Sequence, residues 1–301
     1  MSARRQTKGA TRITDALLRK WPLPEPDGAR GKEDRGKVLV VGGSEEIPGA
    51  VVLAALGALR AGAGTLQIAT ARSVARAMAI AVPEARVIGL PTDRNGELGR
   101  GCARALREEL GECSALLIGP GMRDPSAAIE LLRRCVGRAQ GGALVIDAGS
   151  LDAFRGRKPL STTYRGGIVA TPHAGEMAHL WGVERDQVLA EPLALARQAA
   201  AKLRIVLALK GAETFVVAPD GTAFHNTAGN AGLGTSGSGD TLSGVIAGLC
   251  ARGATPLQAA VWGVYLHAKA GDALARAMGP LGFLARELLA EIPRQMRRLS
   301  R

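Results

Sequence analysis

Aromatic side chains are scarce in this chain: Phe, Trp and Tyr make up 3% of its 301 residues, against 47% hydrophobic residues overall. The core must therefore be built from Ala, Leu, Val and Ile, and 40 Gly suit close packing of helices on a sheet. The same scarcity removes the interleaving of basic and aromatic side chains on which bases stack. Cysteine is also sparse. Cys102, Cys113, Cys135 and Cys250 form no CxxC pair, so neither a zinc pattern nor a disulfide framework is indicated, and reduced cytoplasmic thiols are expected. No apolar run approaches 18 residues, and no apolar segment follows the N-terminal Arg residues. Neither a membrane span nor a secretory signal is expected. GxxxxGK[ST] is absent, which excludes a P-loop.

What is present in excess is positive charge. The net charge of +12 raises the question of nucleic acid, but its distribution argues against a specific nucleic-acid binder. Residues 1–37 hold ten Lys/Arg against five acids, and 294–301 hold four Arg and no acid. About nine of the twelve excess charges thus lie at the ends, as in a basic enzyme with polyanionic ligands. Residues 1–30 are read as a basic, flexible arm that includes a short helix at Thr14–Trp21, and residues 31–301 as a single domain.

Short apolar runs alternate with helical patterns along that domain. Strands are predicted at Lys37–Val41, Thr65–Thr70, Arg86–Leu90, Ala115–Ile118, Ala143–Asp147, Ile168–Thr171 and Ile205–Ala208. Helices are predicted between them, among them Gly49–Ala61, Pro125–Gln140 and Glu184–Leu203. Glu213–Val217 and Thr222–His225 flank Pro219-Asp220-Gly221 and read as a hairpin. The fold class is therefore α/β: a mostly parallel sheet, helices on both faces, and an antiparallel edge hairpin. In such sheets ligands bind beyond the carboxyl ends of the strands. Gly42–Ser44, Gly119–Gly121, Asp147, Thr171–Glu176 and Lys210–Thr214 all follow strands, so they should converge on one rim.

The stretch Asn226–Gly244 (NTAGNAGLGTSGSGDTLSG) is too polar and Gly-rich to pack a core. It runs into an apolar helix placed at Thr241–Arg252. A flexible loop feeding a helix N-terminus is an anion site, because unpaired N–H groups and the helix dipole point at one place. Gly232, Gly234 and Gly237 spell GxGxxG, yet a hairpin rather than a core strand precedes them, which argues against a dinucleotide fingerprint. Asp240 has two readings: a helix cap, or an acceptor for the proton of a hydroxyl attacking phosphate. Lys210 either reaches a nucleotide phosphate or is a solvated residue at a strand end. His173 makes a ligand contact or a loop hydrogen bond, and Asp147 ends a buried strand as a functional acid or as a cap. His179, His225 and His267 carry no spacing signal.

Taken together, Gly42-Gly43-Ser44 with Pro48-Gly49-Ala50, Ile118–Gly121, Val145–Ala148, Thr171–Met177, Lys210-Gly211, Asn226, Thr235 with Gly237–Asp240, and Tyr265–His267 closely resemble the ADP/ATP-dependent NAD(P)H-hydrate dehydratases, a branch of the ribokinase-like superfamily. The resemblance spans about residues 30–275. It implies dehydration of the S epimer of hydrated NADH or NADPH, driven by ADP (or ATP) with Mg²⁺, through phosphorylation of the hydrate hydroxyl. By position in the motifs, Ala50, Gly121, His173 and Asp240 would contact the hydrate. Lys210, Gly211, Ala212, Glu213, Thr214 and Gly239 would contact the nucleotide. Asp240 would be the base, and Gly237, Ser238 and Gly239 the anion hole; no metal ligand is assigned. The resemblance further implies a homo-oligomer, a tetramer, and a separate epimerase in the same pathway. The family commonly reads Asp-Ala-Asp-Ala-Leu-Asn where this chain has Asp147-Ala148-Gly149-Ser150-Leu151-Asp152. A kinase of a small hydroxymethyl vitamin precursor is the alternative on the same fold. A nucleotide-sensing or nucleic-acid-associated protein that keeps the fold without turnover is a third.

Overall fold

The computed structural model describes residues 7, 9–25, 31–99, 101–139, 141–155, 160 and 163–300. Ten strands form one sheet: β1 Thr11–Arg12, β2 Lys37–Val41, β3 Thr65–Ala71, β4 Ala85–Leu90, β5 Ala115–Ile118, β6 Ala143–Ile146, β7 Ile168–Ala170, β8 Val206–Leu209, β9 Thr214–Val217 and β10 Ala223–Asn226. Their order is β1-β10-β9-β8-β7-β6-β5-β2-β3-β4. Only β9 runs antiparallel to its neighbours β8 and β10. β5, β6 and β8 are buried at every residue, which is why they read as unbroken apolar runs rather than alternations.

The sheet separates two cores. In β2, Val38 and Val40 enter one and Leu39 and Val41 the other, as the two-residue period of a strand requires. The first core is covered by α1 (Asp15–Lys20), α2 (Gly49–Arg60), α10 (Ser238–Ala251), α11 (Pro256–Met278) and α12 (Ala285–Leu299). The second is covered by α6 (Pro125–Val136), α7 (Ala174–Trp181), α8 (Arg185–Ala190) and α9 (Pro192–Leu203). Beside the sheet also run α3 (Arg72–Ala81), α4 (Cys102–Ala105) and α5 (Arg107–Glu112). Helices α2 and α10 lie almost backbone to backbone. A Cβ at Gly244 would overlap the carbonyl oxygen of Ala54. That contact fixes the helix whose first turn carries Asp240.

Four expectations differ from what is seen. The segment Glu184–Leu203 is two helices, because Pro192 bars the residue before it from helical geometry, and Glu191 lies at φ −132°, ψ 54°. Helix α10 starts at Ser238 rather than Thr241. The hairpin is not the outermost element, since β1 pairs in parallel with β10 and covers its edge. Finally, residues 11–25, expected within a flexible arm, are laid on the first core. Ile13 and Leu18 are buried, and Trp21 stacks on Phe224 at 5.7 Å. The carbonyl of Trp21 accepts from Trp262 Nε1 (2.9 Å), and Tyr265 donates to Asp15 Oδ1 (2.5 Å). Residues 1–6, 8 and 26–30 of the expected arm lie outside the described residues. Among the described residues no helix is long and apolar enough to cross a membrane.

Candidate active site

Strand order reverses between β2 and β5, the place beyond the carboxyl ends of the strands where ligands bind in open α/β sheets. The two loops there are tied together: Gly43 N–H donates to Pro120 O (2.8 Å) and Ser44 N–H to Gly121 O (3.0 Å). Gly121 has φ +68°, and a Cβ on it would lie 2.5 Å from Ile47 O and 3.1 Å from Ala50 Cβ. Ala50 and Gly121, two of the sequence-predicted hydrate contacts, therefore meet at the switch point.

One strand further on, four ionisable residues gather. Lys210 N–H donates to Pro172 O (2.8 Å), which holds the end of β8 beside the loop after β7. Lys210 Nζ then lies 3.2 Å from Asp147 Oδ1 and 3.9 Å from Glu176 Oε2. Thr171 Oγ1 donates to the same Asp147 oxygen (2.7 Å). Burial alone would favour neutral lysine, but Asp147, Glu176 and Asp240 outweigh it and raise the ammonium above its ordinary range. Lys210 is thus a fixed cation. It is not a solvated strand-end residue.

His173 caps α7. Its Nδ1 accepts from the N–H groups of Gly175 (3.0 Å) and Glu176 (3.1 Å), while Glu176 Oε2 accepts from His173 N–H (2.7 Å). With its Nδ1 lone pair engaged, the neutral ring carries its proton on Nε2. The side chain bordering the cavity described below is therefore a donor, not a base. Of the two sequence readings of His173, the loop hydrogen bond is present, and the residue also borders the cavity.

Asp240 is not the N-cap of α10. Gly237 takes that position at φ +85°, without a side-chain cap, and Asp240 is the third helical residue. Its carboxyl is pushed up to about 7: burial is the main cause, Asp147 and Glu176 add repulsion, and Lys210 offsets part of it. A carboxyl poised near neutrality is what a general base needs. The loop before it faces Lys210, because a Cβ on Gly239 would lie 3.3 Å from Lys210 Nζ. An ammonium and a helix N-terminus then face one space, each favouring an anion there. Ser238 is held from behind by His267, whose Nε2 lies 3.0 Å from both Ser238 Oγ and Ser238 O.

Beside this loop lies a cavity of about 680 Å³. Of the residues expected to hold nucleotide, Lys210, Gly211, Ala212, Thr214 and Gly239 border it. Glu213 does not; its carboxylate is taken by His225 Nε2 at 2.8 Å. Ser238 and His173 border the cavity, whereas Gly237, Ala50, Gly121 and Asp240 are not on its wall. The expected residues thus divide between a cavity, which Lys210, Ser238 and Gly239 border, and the loops at the switch point, where Ala50 and Gly121 meet. Sequence reading missed Glu176 as a partner of Lys210 and His267 as the support of Ser238. A His inside the apolar helix α11, at the end of the motif Tyr265–His267, was the available sign of the latter. Among the described residues no cluster of three or more side chains fit to hold a metal is present.

The strand order, with its reversal between β2 and β5 and the antiparallel β9, defines a ribokinase-like protein. A ribokinase-like superfamily protein from Enterococcus faecalis superposes with a TM-score of 0.84 at 27% identity, covering 97% of each chain. The family model described as NAD(P)H-hydrate dehydratase matches residues 38–294, and the chain belongs to that family. It is 50% identical over 289 residues to the ADP-dependent (S)-NAD(P)H-hydrate dehydratase of Xanthomonas campestris, covering 96% of this chain and 97% of that one. It also resembles the ADP/ATP-dependent NAD(P)H-hydrate dehydratase of Bacillus subtilis co-crystallized with ATP/Mg²⁺, with 30% identity, a TM-score of 0.82, and coverage of 97% and 99%. Its relatives include bifunctional NAD(P)H-hydrate repair enzymes, of whose length this chain spans 52–54%.

Proposed function

We propose that this chain dehydrates the S epimer of hydrated NADH or NADPH at the expense of ADP, restoring the dihydronicotinamide. The observation that carries the reading is the placement of Asp240. A carboxyl held near neutrality sits in the first turn of α10, beside a fixed ammonium and a nucleotide-sized cavity.

In this reading Lys210, Gly211, Ala212, Thr214 and Gly239 bind the nucleotide, and Gly237 and Gly239 present N–H groups to the phosphoryl being transferred, while Ser238, whose N–H is taken by Thr235 O (3.2 Å), offers its hydroxyl. Glu213 contributes its backbone, because its carboxylate belongs to His225. The loops at the switch point, with Ala50 and Gly121, receive the hydrated ring, and His173 donates from Nε2. Asp240 takes the proton of the hydrate hydroxyl as its oxygen attacks the terminal phosphorus of ADP, with AMP as leaving group. The oxygen is now part of a good leaving group. The ring nitrogen's lone pair expels it as phosphate, and loss of a proton from the adjacent ring carbon restores the double bond. The protein supplies alignment and charge neutralisation, which is most of what phosphoryl transfer requires.

Magnesium would accompany the nucleotide. Asp147 and Glu176 are hard oxygen donors beside the phosphate position, and with no cage of three such residues they fit an ion held mainly by phosphate oxygens and water. When bound it would neutralise phosphate charge. We further propose a cytoplasmic homo-oligomer, a tetramer, working with a separate epimerase; the double length of the bifunctional relatives supports a second activity in the same pathway.

The test is to mix the protein with the S hydrate, Mg²⁺ and either ADP or ATP, and to follow recovery of dihydronicotinamide absorbance. Recovery with ADP, with AMP and phosphate released in equal amounts, is expected. No recovery with either nucleotide refutes the assignment, and a phosphorylated product that persists would favour the kinase reading.

A further inference from the structure

His267 lies on α11 behind the loop, buried at 8% exposure. Its Nε2 has two neighbours on one residue, Ser238 Oγ and Ser238 O, each at 3.0 Å. A carbonyl oxygen can only accept, so Nε2 must carry the proton. That single N–H is shared between the carbonyl and the hydroxyl oxygen, and the Ser238 hydroxyl is then an acceptor on that side. Its own proton is left to point elsewhere, and Ser238 borders the cavity.

The carbonyl bond has a second consequence. Ser238 C=O and Gly239 N–H belong to one planar peptide and point in opposite directions. Anchoring the oxygen on the α11 side fixes the plane of that peptide and so the direction of the Gly239 N–H, in a residue close enough to Lys210 that an added Cβ would lie 3.3 Å from Nζ.

We infer that His267 is the positioning residue of the anion hole: as a fixed Nε2–H donor it aims both the Ser238 hydroxyl proton and the Gly239 N–H at the phosphate. His267 also borders the cavity, together with Val264, Ala268 and Ser238, and in this role it acts through Ser238. Burial, with a smaller contribution from the Lys210 charge, lowers its basicity to about 4, so the ring stays a neutral, single-tautomer donor across the working range. The inference rests on reading Ser238 and Gly239 as phosphate ligands, and its test is therefore made on nucleotide binding, apart from turnover of the hydrate.

Gln places an amide N–H near the position of Nε2, whereas Asn reaches only as far as Nδ1. Calorimetric titration with ADP and Mg²⁺ should give His267→Gln a Kd within about threefold of wild type. His267→Asn and His267→Ala should bind roughly 10- to 100-fold more weakly, the loss of about one hydrogen bond to a charged oxygen. The Gln–Asn pair keeps the test valid should the Ala variant not fold, since both retain a polar side chain of similar bulk. A long-range ¹H–¹⁵N spectrum of the wild type should show His267 protonated on Nε2. Equal ADP affinity in the Asn and Gln variants refutes the inference, and so does an Nδ1–H tautomer. Normal ADP binding without hydrate turnover would instead count against the proposed function and leave this inference standing.

Discussion

Replacing Asp240 by Asn removes one ionisable oxygen from the first turn of α10 and barely changes the side chain's size. If the carboxyl is held near 7 in the folded protein and near 3.9 when unfolded, the folded state binds the extra proton between those values. Stability then falls as pH rises from about 4 to about 7, and is flat above. Wild type therefore carries its full penalty at about pH 8 and none below about pH 4. A gap of about three pKa units corresponds to ~4 kcal/mol as a ceiling, at ~1.4 kcal/mol per unit. With an unfolding entropy of ~2.1 cal/mol/K per residue, a chain of this size moves by about 1 °C for each ~0.6 kcal/mol. Asp240→Asn should thus melt up to ~6 °C above wild type at about pH 8 and together with it at about pH 4. Partial exposure of Asp240 brings the expected gap nearer to half that ceiling.

Turnover should move the other way. Loss of the base should lower kcat by ~10²- to 10⁴-fold, while ADP binds at least as tightly because a negative charge has left the phosphate site. The wild-type rate should rise with pH through about 7 as Asp240 ionises. Melting curves of both proteins from about pH 4 to 8, with rates on the same samples, measure all of this. A variant that melts no higher than wild type at about pH 8 refutes the electrostatic account. One that keeps activity within a few-fold refutes the base.

Two further variants probe the supports of the site. Lys210→Met leaves Asp147, Glu176 and Asp240 facing one another without their cation; urea unfolding at neutral pH should show a loss on the order of 3 kcal/mol, smaller in acid, and ADP affinity should fall at least tenfold. Leu18→Ala empties a fully buried position on α1; it should cost about 2–5 kcal/mol with kcat unchanged, and a loss below ~0.5 kcal/mol would mean that residues 11–25 carry no structural weight.

The rim of the sheet was legible in the sequence for a reason that lies in the architecture. Once KVLVV, ALLI, ALVI and VLAL are read as buried parallel strands, all their carboxyl ends must share one edge, so Gly42, Gly119, Asp147 and Lys210 converge whatever the helices do. Helix starts have no such constraint. SGDTLSG offers two Ser, a Thr and an Asp as rival caps, and nothing local favours Gly237, which takes φ +85° where an added Cβ would lie 2.3 Å from Leu53 Cδ1 of α2. Residues 11–21 were obscured in a similar way. Ile13, Leu17, Leu18 and Trp21 are spaced to bury one face, but they lie in a basic stretch whose composition resembles a tail. His267 was obscured most completely, because its meaning depends on how α11 is rotated against a loop some thirty residues earlier in the chain. The ambiguity over Asp240 has the same origin. Whether that carboxylate caps a helix or takes a proton depends on a shift of three residues in where α10 begins, and tertiary contacts set that start: α2 pressing on Gly237 and Gly244 from one side, and His267 gripping Ser238 from the other.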